Sequence, residues 1–515
     1  MRRASDHLYE LIKSLDKQEK RYFKIFASRH VIGGQNDYIK LFDALDRMKQ
    51  YDETRFRKKL QKEKFITRLP ALKNYLYGII LDSSRAYHDD QTVHAKINGL
   101  IRDVEFLYTK TLYAQCRKLI AKAKVLCYTH EKYTKLIELF GYEKNIHANE
   151  RFANITESRL DDILAEEQAI IAKLNNTLEY YNKNAKVVLN LQQGGLSRSD
   201  GAGGFLSKMS CDKFFSDESA ALTVESKLFF YTGNMAVHHN FGEMDASYEF
   251  AKKYVLLIES EPERTRENIG KYITGLGNQI IIGHKLKHRQ KEIEEAIRKL
   301  HVLTTLPQYQ RKDIQLKLFS VLCRSKSLLS IYTGNFEQAA ELASEIKNGI
   351  NTFKDSVGRN EKVMFSHYLS YIYFGKEDFS NSLKWLNKIL NQYQSNVRED
   401  IQCYSRVFNL IVHYEKDNTQ LLEYELKSTY RFLSKRNKLF GFETVVLEFI
   451  KKLLLKPPRP GELKKRFITL KQELEAVLRQ PGEQNVLDFF DFLAWLESKI
   501  ESRPFAEIIS RKAYQ

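Results

Sequence analysis

The feature that most constrains this chain is a pattern that occurs twice between residues 328 and 386. The first copy reads Leu328-Leu329-Ser330-Ile331-Tyr332-Thr333-Gly334-Asn335-Phe336-Glu337-Gln338-Ala339-Ala340-Glu341-Leu342-Ala343. The second runs from Leu369 through Tyr371-Ile372-Tyr373-Phe374, crosses Gly375-Lys376-Glu377-Asp378, and continues from Phe379 to Leu386. Each copy is an apolar helix ending in aromatics, a tight polar turn, and an aromatic leading a second amphipathic helix. The small residues Ala339 and Ser382 let the two helices approach closely, and Phe336 and Phe379 plug the groove at the turn. Gly242, Met244, Ser247 and Ala251 form an earlier, weaker copy, and Tyr113, Cys116 and Ile120 the weakest.

The spacing resembles the tetratricopeptide repeat, which sets Gly, an aromatic, a small residue and another apolar residue at fixed offsets across its inter-helix turn. Gly334, Phe336, Ala339 and Ala343 fit that pattern. Phe379, Ser382 and Leu386 fit it too, with Glu377 where the glycine would stand. Phe336 and Phe379 lie 43 residues apart, against about 34 in that family, so the repeats read as lengthened and divergent. Met244 and Phe336 lie 92 residues apart, with room for one degenerate unit whose second helix falls around Glu292 to Leu303. The resemblance implies a right-handed solenoid with a concave groove. The overall layout, in its N-terminal unit and its Trp495-Leu496-Glu497-Ser498-Lys499-Ile500 ending, also resembles uncharacterised helical-repeat proteins of Bacteroidota-type bacteria, a likeness that carries no activity.

The expected fold class is therefore all-α, an α-solenoid of TPR-like helical hairpins with a small helical unit at its N-terminus. Scarce breakers, 8 Pro and 23 Gly in 515 residues, favour long helices throughout. Five segments follow. Residues 1–90 form a basic unit of short helices, where Asp16 and Glu19 make a capping-box signature and Pro70 opens a helix. Residues 91–191 form hairpins and a long helix, with Asn175-Asn176 a candidate break. Residues 192–219 form a Gly/Ser-rich loop, part of which Phe205, Phe214 and Phe215 would dock back. Residues 220–450 hold the repeats. Residues 451–515 form capping helices, with Phe489, Phe490, Leu493, Leu496 and Ile500 at helical spacing.

Charge singles out one local feature. The net charge is +18, and Arg55, Lys58, Lys59 and Lys62 stand at i, i+3, i+4 and i+7, a single helical stripe. From Arg55 to Lys73 there are eight Lys or Arg against one acid, Glu63. A positive stripe on a short helix suits contact with phosphate groups or with an acidic protein. No helix with Arg, Asn or Gln poised for base edges accompanies it.

Chemistry-bearing motifs are scarce. His284 and His288 are one helical turn apart and Glu292 continues the row, but no H-E-x-x-H surrounds them, and Lys285 and Lys287 between them would repel a cation. Gly275-Leu276-Gly277 is half a nucleotide fingerprint without its strand. The five cysteines, Cys116, Cys127, Cys211, Cys323 and Cys403, form no C-x-x-C and read as reduced thiols. No signal peptide and no apolar run long enough to cross a membrane is expected.

These features predict a cytoplasmic, non-catalytic protein-binding scaffold with no metal and no cofactor. Its helical groove would hold a protein or peptide partner, and Tyr371-Ile372-Tyr373-Phe374 supplies aromatics beyond those the turns require. The alternative is a nucleic-acid-associated regulator that contacts DNA or RNA through residues 55–73 and senses a partner through the repeats.

Overall fold

The structure is a computed structural model and describes residues 6–28, 37–61, 63–89, 92–153, 155–192, 209, 212–392, 397–457, 459, 461–480 and 483–514. Among the described residues there are 25 α-helices and short 3₁₀ turns, and no strand. No helix among them is long and apolar enough to cross a membrane. The chain divides into two compact units, residues 1–171 and 172–515. Helix Glu157–Gln192 carries the chain from one to the other without a break at Asn175-Asn176. The Asn176 amide works elsewhere: it donates to the Ala220 carbonyl at 2.9 Å and accepts from the Leu222 N–H at 3.0 Å.

In the first unit, helices His7–Ser14, Lys17–Ser28, Asp37–Asp46, Glu53–Lys59 and Leu69–His88 surround one core of Ile12, Phe23, Phe42, Phe56 and Leu76. The Phe23 and Phe42 rings stack 4.4 Å apart. Asp16 and Glu19 close the capping box reciprocally, each side chain accepting the other's backbone N–H at 2.8 Å. Helices Val93–Thr109, Tyr113–Thr129 and Tyr133–Asn149 then pack in succession.

In the second unit, neighbouring helices again pack in pairs. Helices Ile269–Gly283, Lys312–Thr333, Arg359–Gly375, Glu399–Glu415 and Gly441–Leu455 form a row in which each touches the next. Helix Gln290–Thr305 stands where the degenerate unit's second helix is expected. The docked stretch before the row includes Phe215, whose ring fills the space where a Cβ on Gly233 would lie. Phe205 lies outside the described residues, as does most of 192–211.

One turn geometry recurs through both units. A residue in the left-handed region ends a helix, and five positions later a buried residue meets the preceding helix. The pairs are Thr111 and Cys116, Glu131 and Leu136, Gly242 and Ser247, Gly334 and Ala339, Glu377 and Ser382, Asp417 and Leu422, and Asn437 and Phe442. The left-handed residue turns the chain so that the N–H after it reaches back to a carbonyl of the helix it ends. Leu112 thus bonds Leu107, Lys132 bonds Cys127, Glu243 bonds His238, Asp378 bonds Tyr373 and Asn418 bonds His413. Where the buried residue carries a donor, it caps a carbonyl twelve positions back. The hydroxyls of Ser247 and Ser382 donate to Met235 and Ser370 at 2.8 and 2.7 Å, and the Cys116 thiol to Val104 at 3.7 Å.

Glycine holds this turn only where a second segment presses on it. A Cβ on Gly334 would lie 2.6 Å from the Ala506 carbonyl oxygen, and one on Gly242 would lie 2.6 Å from the Gln484 amide nitrogen. Thr111, Glu131, Glu377 and Asp417 instead bear the left-handed strain of about 1–2 kcal/mol that a side chain brings.

Two substitutions test this. Glu377→Gly is expected to raise stability by up to about 1 kcal/mol in urea unfolding, since it relieves strain but loosens the unfolded chain. Gly334→Ala is expected to lower it by more than about 2 kcal/mol, because backbone atoms cannot step aside as a side chain can.

Candidate functional site

The helix row of the second unit is covered on one side by the end of the same chain. Helix Arg359–Gly375 is buried almost all round, from Val363 through Phe374, and Glu399–Glu415 from Asp400 to His413 with Arg406 excepted. A helix apolar on every side must be enclosed on every side. The enclosing element is the segment from the 3₁₀ turn Glu483–Asp488 through helices Phe492–Glu501 and Phe505–Tyr514. Phe489 and Phe490 do not continue a helix as their spacing predicts. The Asp491 side chain accepts the Ala494 N–H at 2.8 Å and starts the helix at Phe492, which leaves both rings free to turn onto the row.

Phe490 is the hub of that contact. Its ring stacks on Phe408 at 4.3 Å and Phe505 at 5.5 Å, and lies within about 5 Å of Tyr371, Phe374 and Phe492. Phe489 stacks on Tyr404 at 4.1 Å. Polar contacts set the register. His367 Nε2 donates to the Phe489 carbonyl at 2.9 Å while its Nδ1 accepts from the Ser405 hydroxyl at 3.3 Å. Trp495 Nε1 and Lys499 Nζ share the Glu415 carboxylate at 2.6 and 2.5 Å, and Lys285 pairs with Asp488 at 2.5 Å. Tyr371 and Phe374, expected among aromatics beyond the needs of the turns, are thus spent on this segment.

Magnitude decides what the segment is. Phe490, Phe492, Trp495, Leu496, Phe505 and Ile508 are each at most 4% exposed. At about 1.5–3 kcal/mol per buried side chain, on the order of 10 kcal/mol holds it down. A peptide competing for the same face would have to replace all six. The segment is therefore a fixed part of the fold, and this face of the row is closed.

The residues expected to pack the repeats lie in helix-to-helix contacts. Phe336 occupies the position where a Cβ on Gly375 would lie, and it stacks on Phe505 at 6.3 Å. Ala339, Ala343, Ser382 and Leu386 are all at most 1% exposed, and the Phe379 ring packs tilted against Phe374 at 5.3 Å. Glu131, Asp417 and Asn437 head three further turns of the same kind that the glycine-led pattern passes over. Their signal is the buried residue five positions on.

The basic stripe is partly described. Asp52 caps helix Glu53–Lys59 by accepting the Arg55 N–H, and Phe56 and Leu60 anchor it in the core. Arg55 and Lys58 are exposed, and among the described residues no carboxylate pairs with either. Arg57 and Lys73, by contrast, both pair with Glu53, at 2.8 and 2.5 Å. The side chain of Lys59 and the whole of Lys62 lie outside the described residues.

The remaining chemistry-bearing residues serve packing. Burial pushes the thiol of Cys127 up to about 11 and those of Cys323 and Cys403 up to about 12, far from the range of an activated nucleophile. Cys211 lies outside the described residues. His288 pairs with Asp245 at 2.8 Å, and His284 ends the preceding helix with its ring against Tyr332. Among the described residues no three His, Cys, Asp or Glu side chains converge as a metal ion needs. Gly275 and Gly277 lie inside a helix, where the Tyr254 and Val321 side chains fill the space beside them.

No protein-family model, no curated protein and no solved structure matches this chain.

His367 makes the closed face sensitive to acid. Burial holds its pKa down at about 4, against 6.5 when unfolded. Between these values the unfolded chain takes up a proton that the folded chain refuses. Its stabilisation is complete above pH 6.5 and is lost as the pH falls towards 4, by about 3 kcal/mol. Urea unfolding from pH 7 to 4 is expected to show a shallower loss for His367→Gln, which keeps a donor but does not titrate. At neutral pH, Phe490→Ala is expected to cost about 3–5 kcal/mol in the same assay.

Proposed function

We propose that this chain is a non-catalytic protein-binding scaffold, a solenoid of lengthened, TPR-like helical hairpins. The observation that carries the reading is the recurrent turn. Seven turns among the described residues share a left-handed residue and a buried residue five positions on, a recurrence that stacked hairpins would produce. The row of first helices supports it further, because it grips a non-repeat segment through aromatic pockets and one histidine-to-carbonyl hydrogen bond. Side chains that hold an internal segment this way illustrate how such a surface holds a foreign one. With that face closed, partners engage the faces that stay open.

The reading is tested by panning displayed peptides against the full-length chain and measuring the enriched ones by calorimetry. One-to-one binding in the micromolar range is the expected result. No enrichment over a blank surface after repeated rounds overturns it.

A second reading, nucleic-acid binding through residues 55–73, is favoured by the exposed and unpaired Arg55 and Lys58. The full chain is titrated with duplex DNA and single-stranded RNA at about 50 and 200 mM salt. On this reading affinity falls steeply with salt and falls again in the Arg55→Glu/Lys58→Glu variant. Absence of binding at the lower salt ends it.

A further inference from the structure

We propose that the cleft between helices Gly441–Leu455 and Glu462–Leu478 docks an amphipathic helix of another protein, acidic at one end and basic at the other. This rests on the scaffold reading and says where on the chain, and to what, it binds.

The two helices pack side by side and leave an open cleft of about 500 Å³. Its floor is apolar: Val445, Phe449, Leu453 and Leu470. At its mouth Leu455 is 71% exposed, more than any other large apolar side chain among the described residues. An isolated exposed leucine needs no explanation, but one that continues an apolar floor extends a surface that water wets poorly.

The rim is charged, and its charge is polarised. Lys456, Lys465 and Arg466 stand at the end where the two helices are joined, Lys452 one helical turn further in, and Glu448 and Glu473 at the far end. Among the described residues neither these three lysines nor these two glutamates have an ion-pair partner, whereas Lys471, on the same helix but outside the cleft, pairs with Glu497 at 2.8 Å. At 1.5 Å per residue the rim runs about 12 Å, the length of two helical turns.

This polarity selects the occupant. Nucleic acid and an anionic lipid head both carry one sign of charge, and the glutamate end would repel them. A two- to three-turn helix can present apolar residues at i, i+3 and i+4 to the floor. Its acids would then face the lysines and its bases the glutamates, an arrangement that sets both partner and direction. Neither charge cluster is buried in the free chain, so no ionised group is stranded when the cleft is empty.

The test pans displayed amphipathic peptides of about 16 residues, with fixed leucines and randomised charges, against the full-length chain. Enriched peptides are then measured by fluorescence anisotropy on the native chain and on two variants, Lys452→Glu/Lys456→Glu/Lys465→Glu and Leu455→Asp. All four positions are exposed, and circular dichroism checks that both variants fold. The expected result is enrichment of peptides acidic at one end and basic at the other, with at least tenfold weaker binding to each variant. Enriched peptides that bind both variants within about twofold overturn the cleft assignment and leave the scaffold reading standing. Enrichment of uniformly acidic peptides overturns the polarity. If nothing enriches, the scaffold reading falls with it.

Discussion

Two helices joined by a short turn can pack together only if the chain reverses sharply and a residue that can be buried stands where they touch. In this protein both conditions are met by the same few residues. A left-handed residue ends the first helix, and in every turn but the one at Gly334 the N–H that follows it bonds back to the helix it has just left. Five positions later a buried residue sits against that helix. In three of the seven turns its hydroxyl or thiol also satisfies a carbonyl there. The rest of the packing inherits this geometry, because the direction of each second helix decides which first helix meets the next.

A row of helices built this way has two faces, and apolar residues on both must be covered. The chain uses its own end for one of them. Phe490 sits among five aromatic rings, and the energy of burying the segment around it exceeds what a short competitor could return. The glycines at positions 242 and 334 follow from the same arrangement. They mark the turns on which residues 484 and 506 press, whereas the turns at Thr111, Glu131, Glu377 and Asp417 tolerate side chains at the price of strain. With one face sealed, unbalanced chemistry is left at the cleft beside Leu455 and at the exposed Arg55 and Lys58.

Much of the local structure was legible in the residues. Helical spacing and scarce proline announced a helical chain, the Asp16–Glu19 capping box formed as its spacing predicts, and Ala339 and Ser382 are buried where the repeat pattern puts small residues. Glu131 and Asp417 went unread because glycine was the guide, and left-handed backbone does not demand glycine when nothing crowds the Cβ. Phe489 and Phe490 were misassigned to a helix because apolar periodicity cannot tell a helical stripe from two rings turned inward ahead of an Asp cap.

The sequence by itself determined the helices, most of their turns and the small residues between them, because those depend on contacts within some fifteen positions of the chain. Only the tertiary structure decided which face of the row is closed. That outcome depends on residues more than a hundred positions apart, such as His367 and Phe489, and on the summed burial of a whole segment. No local pattern records such a sum.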